Sequence, residues 1–308
     1  MTHASFQSRF STHEACRAHL EALRWRGGVV CARCGAIGEA KRLSTRPDIW
    51  RCRSCKGDFR VTDGTPMEGT HLPLNTWFLA IYLLATSSKG VSAMKLKDWL
   101  GVSYKTAWFL GHRVRQMLAD GSAGRLAGII EADEPYVGGV KRKGRDDDED
   151  GSGRPSHRGR GRARSTVFVA VERGGKAKAK RVASHGVAAP LWQWSNVKGS
   201  VLMADGLPAY RWIGRKFAGH LTADHKRQAY ARTDRRRGIR VHTNTAESFN
   251  SAFKRAIVGV WHCVSAKHCD RYLAEVAFRW NSRKVASDAR VDGALVQGHR
   301  LRWAELVA

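Results

Sequence analysis

The chain has 308 residues, 43% of them hydrophobic, and its 54 Lys and Arg against 27 Asp and Glu give a formal net charge of +27. That length and apolar content exclude a disordered polyelectrolyte and allow two or three modest domains around a sizeable core. The charge points to a polyanion, nucleic acid ahead of a membrane surface, and no apolar run approaches the roughly 20 residues that cross a bilayer.

Taken in chain order, the opening "MTHASFQSRFSTHEACRAHLEALRW" has no signal-peptide apolar stretch. A cytoplasmic, nucleoid-associated chain with reduced thiols is therefore expected. Cys31, Cys34, Cys52 and Cys55 follow as two pairs, each with two residues inside it and seventeen between the pairs. Such knuckles bring four thiolates around one tetrahedral Zn²⁺, with short strands between them. Four protein ligands leave no open position, so this ion is expected to be structural. Cys16, Cys263 and Cys269 are read as core or incidental residues.

Residues 73–119 read as helical. "LPLNTWFLAIYLLAT" is apolar nearly all round and predicts a buried helix. "SAMKLKDWLGVSYKTAWFLGHRVRQML" predicts two amphipathic helices joined at Gly101, with Ser103 at an N-cap position and Lys105, Arg113 and Arg115 along the second. That pattern suits a DNA-binding helix-turn-helix, as it suits any three-helix packing unit. Residues 140–165 are of low complexity, with an acidic run from Asp146 to Asp150 inside a basic one, and predict a mobile loop whose Arg-rich end touches DNA phosphates.

Beyond it, "STVFVAVERGGKAKAKRVAS" predicts a hairpin turning at Gly174–Gly175, and "SVLMADG" a strand ending at Asp205. "NTAESFNSAFKRAI" predicts a helix, with Asn244 and Glu247 at capping-box spacing, and "SAKHCDRYLAEVAFRWNSR" a long amphipathic helix. Two apolar strands thus end in acids, Asp133 and Asp205, and a helix offers Glu247. Acids so placed can converge on one edge of a mixed sheet and hold a pair of divalent cations. Lys254, seven residues after Glu247, shares its helix face and could grip a DNA backbone beside them.

Several motifs in order resemble the ISXO2-like transposases of the IS1595 group. They are the zinc knuckles with "WRCRSC" and "VTDGT", "GVSYKTAWFLGHRVR", "EADEPYVGG", "MADGLPAY" and "HTNTAESFNSAFKRAIVGVWHCVSAKHCDRYLAEVAFRWNSR". The resemblance implies a ribonuclease-H-like α/β core, a mixed sheet flanked by helices, preceded by a zinc ribbon and a helix-turn-helix-like region. Expected boundaries are 1–70 for the N-terminal segment with the ribbon, 71–122 for the helical DNA-binding region, 123–290 for the catalytic domain and 291–308 for a tail.

It also implies a metal triad, whose first two members carry over to Asp133 and Asp205. Glu131 shares the strand face of Asp133, and Glu134 points the other way. The group carries Glu or Asn at the third place, and here Glu247 is preferred over Asn244, because a carboxylate is the stronger Mg²⁺ ligand and Lys254 is in phase with it. Asn244 is read as a helix cap. Asn250 departs from the family, which usually carries an aromatic there, a change that would alter packing behind the site or supply another metal-side amide.

The implied activity is DNA cleavage and strand transfer with two Mg²⁺ (or Mn²⁺) ions, on double-stranded DNA comprising terminal inverted repeats and target, by a homo-oligomer away from any membrane. Tyr136 and Tyr210 are read as packing residues rather than nucleophiles, and His242 and His262 as available for phosphate contact. Two alternatives stand beside this: a DNA-binding regulator with an inactive nuclease-like domain, and a nuclease that only hydrolyses.

Overall fold

In the computed structural model, which describes residues 1–119, 124–137, 165–183, 186–223, 232–297 and 305–306, the chain divides into two compact units. One comprises residues 1–121 with 282–308, the other residues 122–281. The expected mobile loop at 140–165 lies almost wholly outside the described residues.

The first unit opens with α1 (His3–Arg9) and α2 (His13–Arg24), whose N-cap threonines, Thr2 and Thr12, accept the amides of Ser5 and Ala15. Three short antiparallel strands follow in the order β1 (Ala40–Arg42), β2 (Trp50–Cys52), β3 (Asp58–Phe59). Their small core holds Cys31, Cys52 and Phe59, with Trp25 and Trp50 packed against it.

Helix α3 (Leu74–Thr86) buries eight of its residues, as its all-round apolar sequence predicts. Helix α4 (Ala93–Leu100) ends at Gly101, whose φ of +63° is the left-handed cap that glycine adopts without strain. Helix α5 (Tyr104–Leu118) then starts behind Ser103, whose hydroxyl accepts the Thr106 amide. This is the helix-turn-helix-like pair.

Two of its basic residues do not face solvent, contrary to the amphipathic reading. Arg113 and Arg115 are 7% and 3% exposed. The Arg113 guanidinium lies over the Trp77 and Phe109 rings and donates to the Glu68 carbonyl at 2.7 Å. Arg115 donates to the Val91 carbonyl. Buried guanidinium groups of this kind satisfy loop carbonyls and cover aromatic faces.

The C-terminal boundary also differs from expectation. Residues 287–295 are neither catalytic domain nor tail but form α10 (Ser287–Leu295), which packs on α3 and α5. Its stripe of Val291, Ala294 and Leu295 is fully buried and supplies one of the covers an all-apolar α3 requires. His19 Nε2 meets Asp292 Oδ1 at 2.7 Å beside it.

The second unit is built on β4 (Leu126–Asp133), β5 (Tyr136–Val137), β6 (Ser165–Glu172), β7 (Ala177–Val182), β8 (Ser195–Ala204) and β9 (Gly219–Thr222). Strand β5 continues β4 past Glu134–Pro135 without a change of register, since Asp133 pairs Val169 and Tyr136 pairs Thr166. The spatial order is thus β7, β6, β4 with β5, β8, β9. The first three are antiparallel, and β4, β8 and β9 run parallel.

This is the mixed sheet expected of a ribonuclease-H-like domain. The hairpin between β6 and β7 turns at Gly174, with φ of +76°.

Both faces are covered, which is why "VFVAV" is continuously apolar. Phe168 and Ala170 pack with Ile130, Ala132, Leu202 and Tyr210 beneath α6 (Ala188–Trp194) and α7 (Pro208–Gly214). Val167, Val169 and Val171 pack with Phe249, Phe253 and Leu273 of α8 (Asn244–Ala256) and α9 (Cys269–Asn281). Full burial of each such side chain is worth about 1.5–3 kcal/mol. A separate hairpin, β10 (Arg232–Asp234) with β11 (Ile239–Val241), precedes α8.

Candidate active site and metal centre

The four cysteine sulfurs of the ribbon all lie within 4.8 Å of one another. Cys31 Sγ is 3.8 Å from Cys55 Sγ, and Cys34 Sγ is 3.7 Å from Cys52 Sγ. A tetrahedron with Zn–S bonds of about 2.3 Å has edges of roughly 3.8 Å. This geometry fits a structural zinc ion, which these four residues would hold. The amides of Cys55 and Ser54 pull the Cys52 thiol down to about 6. Cys34 is lowered by the Ala36 amide but raised by its sulfur neighbours, to about 12. Held as zinc ligands, all four sulfurs would be thiolates and this competition for protons would end.

In the second unit, β4 and β8 are parallel neighbours with Glu131 opposite Met203. Extended by two residues, that register sets Asp205 across from Asp133, on strands about 4.8 Å apart. Helix α8 crosses the same strand end and carries Glu247 in its first turn. Burial, the largest influence, pushes the Asp133 carboxyl above the ordinary carboxylate range. The Glu134 amide opposes it, Asp205 and Glu247 push it further up, and Lys254 draws it down. The Asp133 carboxyl thus lies in the field of the other two acids and the lysine singled out in the sequence.

The acids are gathered without being drawn to a single point. Among the described residues, only the ribbon cysteines bring three or more ligand atoms within 4.8 Å of one another. Like charges at short range repel, and a pair of ions about 3.5–4 Å apart spans a wider donor set than one ion does.

Asn250 joins the cluster from α8. It is 5% exposed, its Nδ2 donates to Asp133 Oδ2 at 2.6 Å, and its buried Oδ1 has no hydrogen-bond partner. An orphaned amide oxygen beside repelling carboxylates is a hard-oxygen donor set of the kind that suits Mg²⁺. In the sequence Asn250 stands out as a departure from the family that alters packing behind the site or supplies another metal-side amide. Its position three residues after Glu247 and four before Lys254, on one helix face, was the available signal.

Asn244 is exposed as the first residue of α8, and the capping box is not formed. Thr243 is the N-cap, and its hydroxyl donates to Glu247 Oε1 at 3.1 Å. Tyr210 is fully buried and donates to Glu134. Burial and then the Glu134, Asp205 and Asp133 charges raise its phenol well above the ordinary value, which suits packing rather than nucleophilic attack. Tyr136 is 56% exposed on β5. His242 is lowered mainly by burial and accepts the Asn244 amide through Nδ1, whereas His262 is exposed with φ of +58°.

A zinc ribbon, a helix-turn-helix-like pair and an acidic edge on a mixed sheet together define a protein of the transposase class. Residues 125–281 match the ISXO2-like transposase domain and residues 11–57 the transposase zinc-ribbon domain, and the chain belongs to the ISXO2-like family. The family match ends at the boundary of the second unit. A curated relative, described as an uncharacterized protein in transposable element ISH50 of Halobacterium salinarum, is 34% identical over 131 residues. The match covers 41% of this chain and 43% of that relative, so the chain spans less than half of the relative's length. No described helix is long and apolar enough to cross a membrane.

Proposed function

We propose that this chain is a metal-dependent transposase that cuts DNA at element ends and joins the freed end to a target strand. The reading is carried by one observation: the half-buried Asp133 lies in the field of Asp205, Glu247 and Lys254 together. Asp133, Asp205 and Glu247 would hold two Mg²⁺ ions, with the Asn250 amide oxygen beside them. Bound there, the ions supply Lewis-acid polarisation of the phosphate and an activated nucleophile.

The chain's own residues do the rest. The acids would hold those ions, without which three carboxylates repel a phosphodiester, and Lys254 would neutralise a backbone phosphate. In the first step water forms a bond to phosphorus, and the P–O3′ bond breaks to free a 3′-hydroxyl. In the second step that hydroxyl attacks a target phosphodiester, and the target's own 3′ oxygen leaves.

The zinc ribbon and helix-turn-helix-like pair would bind inverted repeats, in a homo-oligomer holding two ends. Because Arg113 is buried, the exposed Lys105 at the start of α5 is the better phosphate contact. Lys105→Ala should weaken end binding and reduce the slope of log affinity against log salt by about one. Arg113→Ala should instead lower the melting temperature, by the equivalent of about 1–3 kcal/mol for its unpaired partners. Anisotropy across a salt series, with thermal melting beside it, separates the two.

The reading is tested with purified protein, labelled end DNA and a Mg²⁺ titration, comparing Glu247→Ala with Asn244→Ala. Glu247→Ala should slow cutting by roughly a thousandfold, about 4 kcal/mol of barrier, with Asn244→Ala near the parent rate. The reverse order would exchange their roles. End binding with no cutting at any Mg²⁺ level would leave a regulator, and cutting without joining a hydrolytic nuclease.

A further inference from the structure

The "EADE" at the end of β4 holds three acids, and the proposed site uses one of them. Glu134 is taken by the Tyr210 hydroxyl on the α7 side of the sheet. Glu131 lies on the Asp133 side and is completely buried. Its Oε2 accepts the backbone amides of Thr245 at 2.7 Å and Ala246 at 3.1 Å. Its Oε1 accepts the Thr245 hydroxyl at 3.0 Å and Arg173 Nε at 2.8 Å, with Arg173 Nη2 at 2.7 Å. His242 Nδ1 stands 3.5 Å from the same oxygen.

Those amides are first-turn donors of α8, which have no partner within the helix. The helix's own N-cap does not serve them, since Thr243 makes no side-chain cap bond. The cap comes from a strand 114 residues away in sequence. Arg173 completes the joint, donating to the Arg240 carbonyl at 2.8 Å and the His242 carbonyl at 3.2 Å on the segment that enters the helix.

We infer that Glu131 is a positioning residue, which caps α8 from β4 and so sets Glu247 opposite Asp133. The inference rests on the site proposed above. Glu131 is two strand residues, about 7 Å, from Asp133, and the capped amides are within about 3 Å of Glu247 along the helix axis. One side chain therefore spaces the two elements that carry the acids. It is itself unavailable to a metal, because both oxygens are engaged by donors. A carboxylate is required here: glutamine has one acceptor oxygen and would turn an NH₂ towards a buried donor. Displacement of about 1 Å at such a joint is enough to cost on the order of a hundredfold in rate.

The test compares Glu131→Gln, Glu131→Asp and, as a control on the site, Asp133→Ala in the full-length protein. Mn²⁺ affinity is read by calorimetry without DNA, α8 first-turn amides by hydrogen exchange, and cutting as separate kcat and KM. Both Glu131 variants should bind Mn²⁺ about tenfold or more weakly, as for residues that orient metal ligands. They should also exchange the Thr245 and Ala246 amides faster and lose kcat with KM for end DNA unchanged. Parent Mn²⁺ affinity and kcat in a folded Glu131→Gln protein would overturn the inference. Failure of both variants to fold would also overturn it, leaving Glu131 a purely structural residue. Should Asp133→Ala keep parent Mn²⁺ binding, the site assignment is what fails. Fast amide exchange in Glu131→Gln would then still report the cap.

Discussion

Asp133→Asn should cut metal-dependent strand cleavage by at least about a thousandfold and, in the absence of divalent metal, raise the melting temperature of the protein. The two effects share one cause. The Asp133 carboxyl is half-buried and in the field of Asp205 and Glu247, so its folded-state pKa is raised above the ordinary value. A raised carboxyl favours the folded state while it is protonated. That contribution is present below the unfolded-state pKa and is lost as pH rises through the folded-state value. Above that value the metal-free protein carries the penalty of a half-buried, repelled charge.

Asparagine keeps the shape and removes the charge. Each kcal/mol recovered is worth about 2–4 °C in a domain of this size. A divalent cation removes the same penalty in the parent by attraction, so Mg²⁺ or Mn²⁺ should raise the parent's melting temperature more than the variant's. Acidification from pH 7 towards the carboxylate range should likewise narrow the gap between the metal-free proteins. Melting curves at several pH values with and without Mn²⁺ check this, alongside a cleavage assay. A variant that melts below the parent without metal, and still cuts, would overturn both the site and the electrostatic account.

The second large effect concerns zinc. Cys52→Ser, or prolonged chelation, should release one zinc equivalent, unfold the ribbon and weaken end-DNA binding by two orders of magnitude or more. The ribbon's strands are only two or three residues long, and its buried core is Cys31, Cys52 and Phe59. An apolar cluster that small cannot offset the entropy of ordering its loops. Structural zinc contributes apparent binding energies of about 10–16 kcal/mol at neutral pH, and that energy is folding energy. The acid site lies in the other compact unit, so Mn²⁺ binding there should survive the substitution. Metal analysis, near-ultraviolet dichroism and anisotropy with end DNA read the three consequences. Retention of zinc and of end binding by Cys52→Ser would show that the ribbon does not depend on the tetrahedral site.

Much of this molecule was legible because its signals are local. Cysteine pairs two residues apart, a helix apolar on every side, a Gly-Gly turn between β-rich runs and acids ending apolar runs depend on neighbours a few residues away. Physical periods of 3.6 and 2.0 residues convert them directly into faces. Hence the ribbon, α3, the hairpin of β6 and β7, and the assignment of Glu131 and Asp133 to one face of β4 all agree with the structure.

Other features belong to tertiary structure alone. Arg113 is one of three basic residues along its helix in the sequence, and only the aromatic rings of Trp77 and Phe109 with the Glu68 carbonyl make it a core residue. Asn244 and Glu247 have the spacing of a capping box, but the donors of that helix turn to Glu131. Asn250 becomes part of the acid cluster because α8 crosses β4 where its amide meets Asp133. Residues 287–295 join the first unit because α3 has an apolar face to cover. Sequence spacing determines which way a side chain points from its own element. Which donor meets which acceptor across a hundred residues is decided by packing, where each buried polar group must find a partner or cost stability.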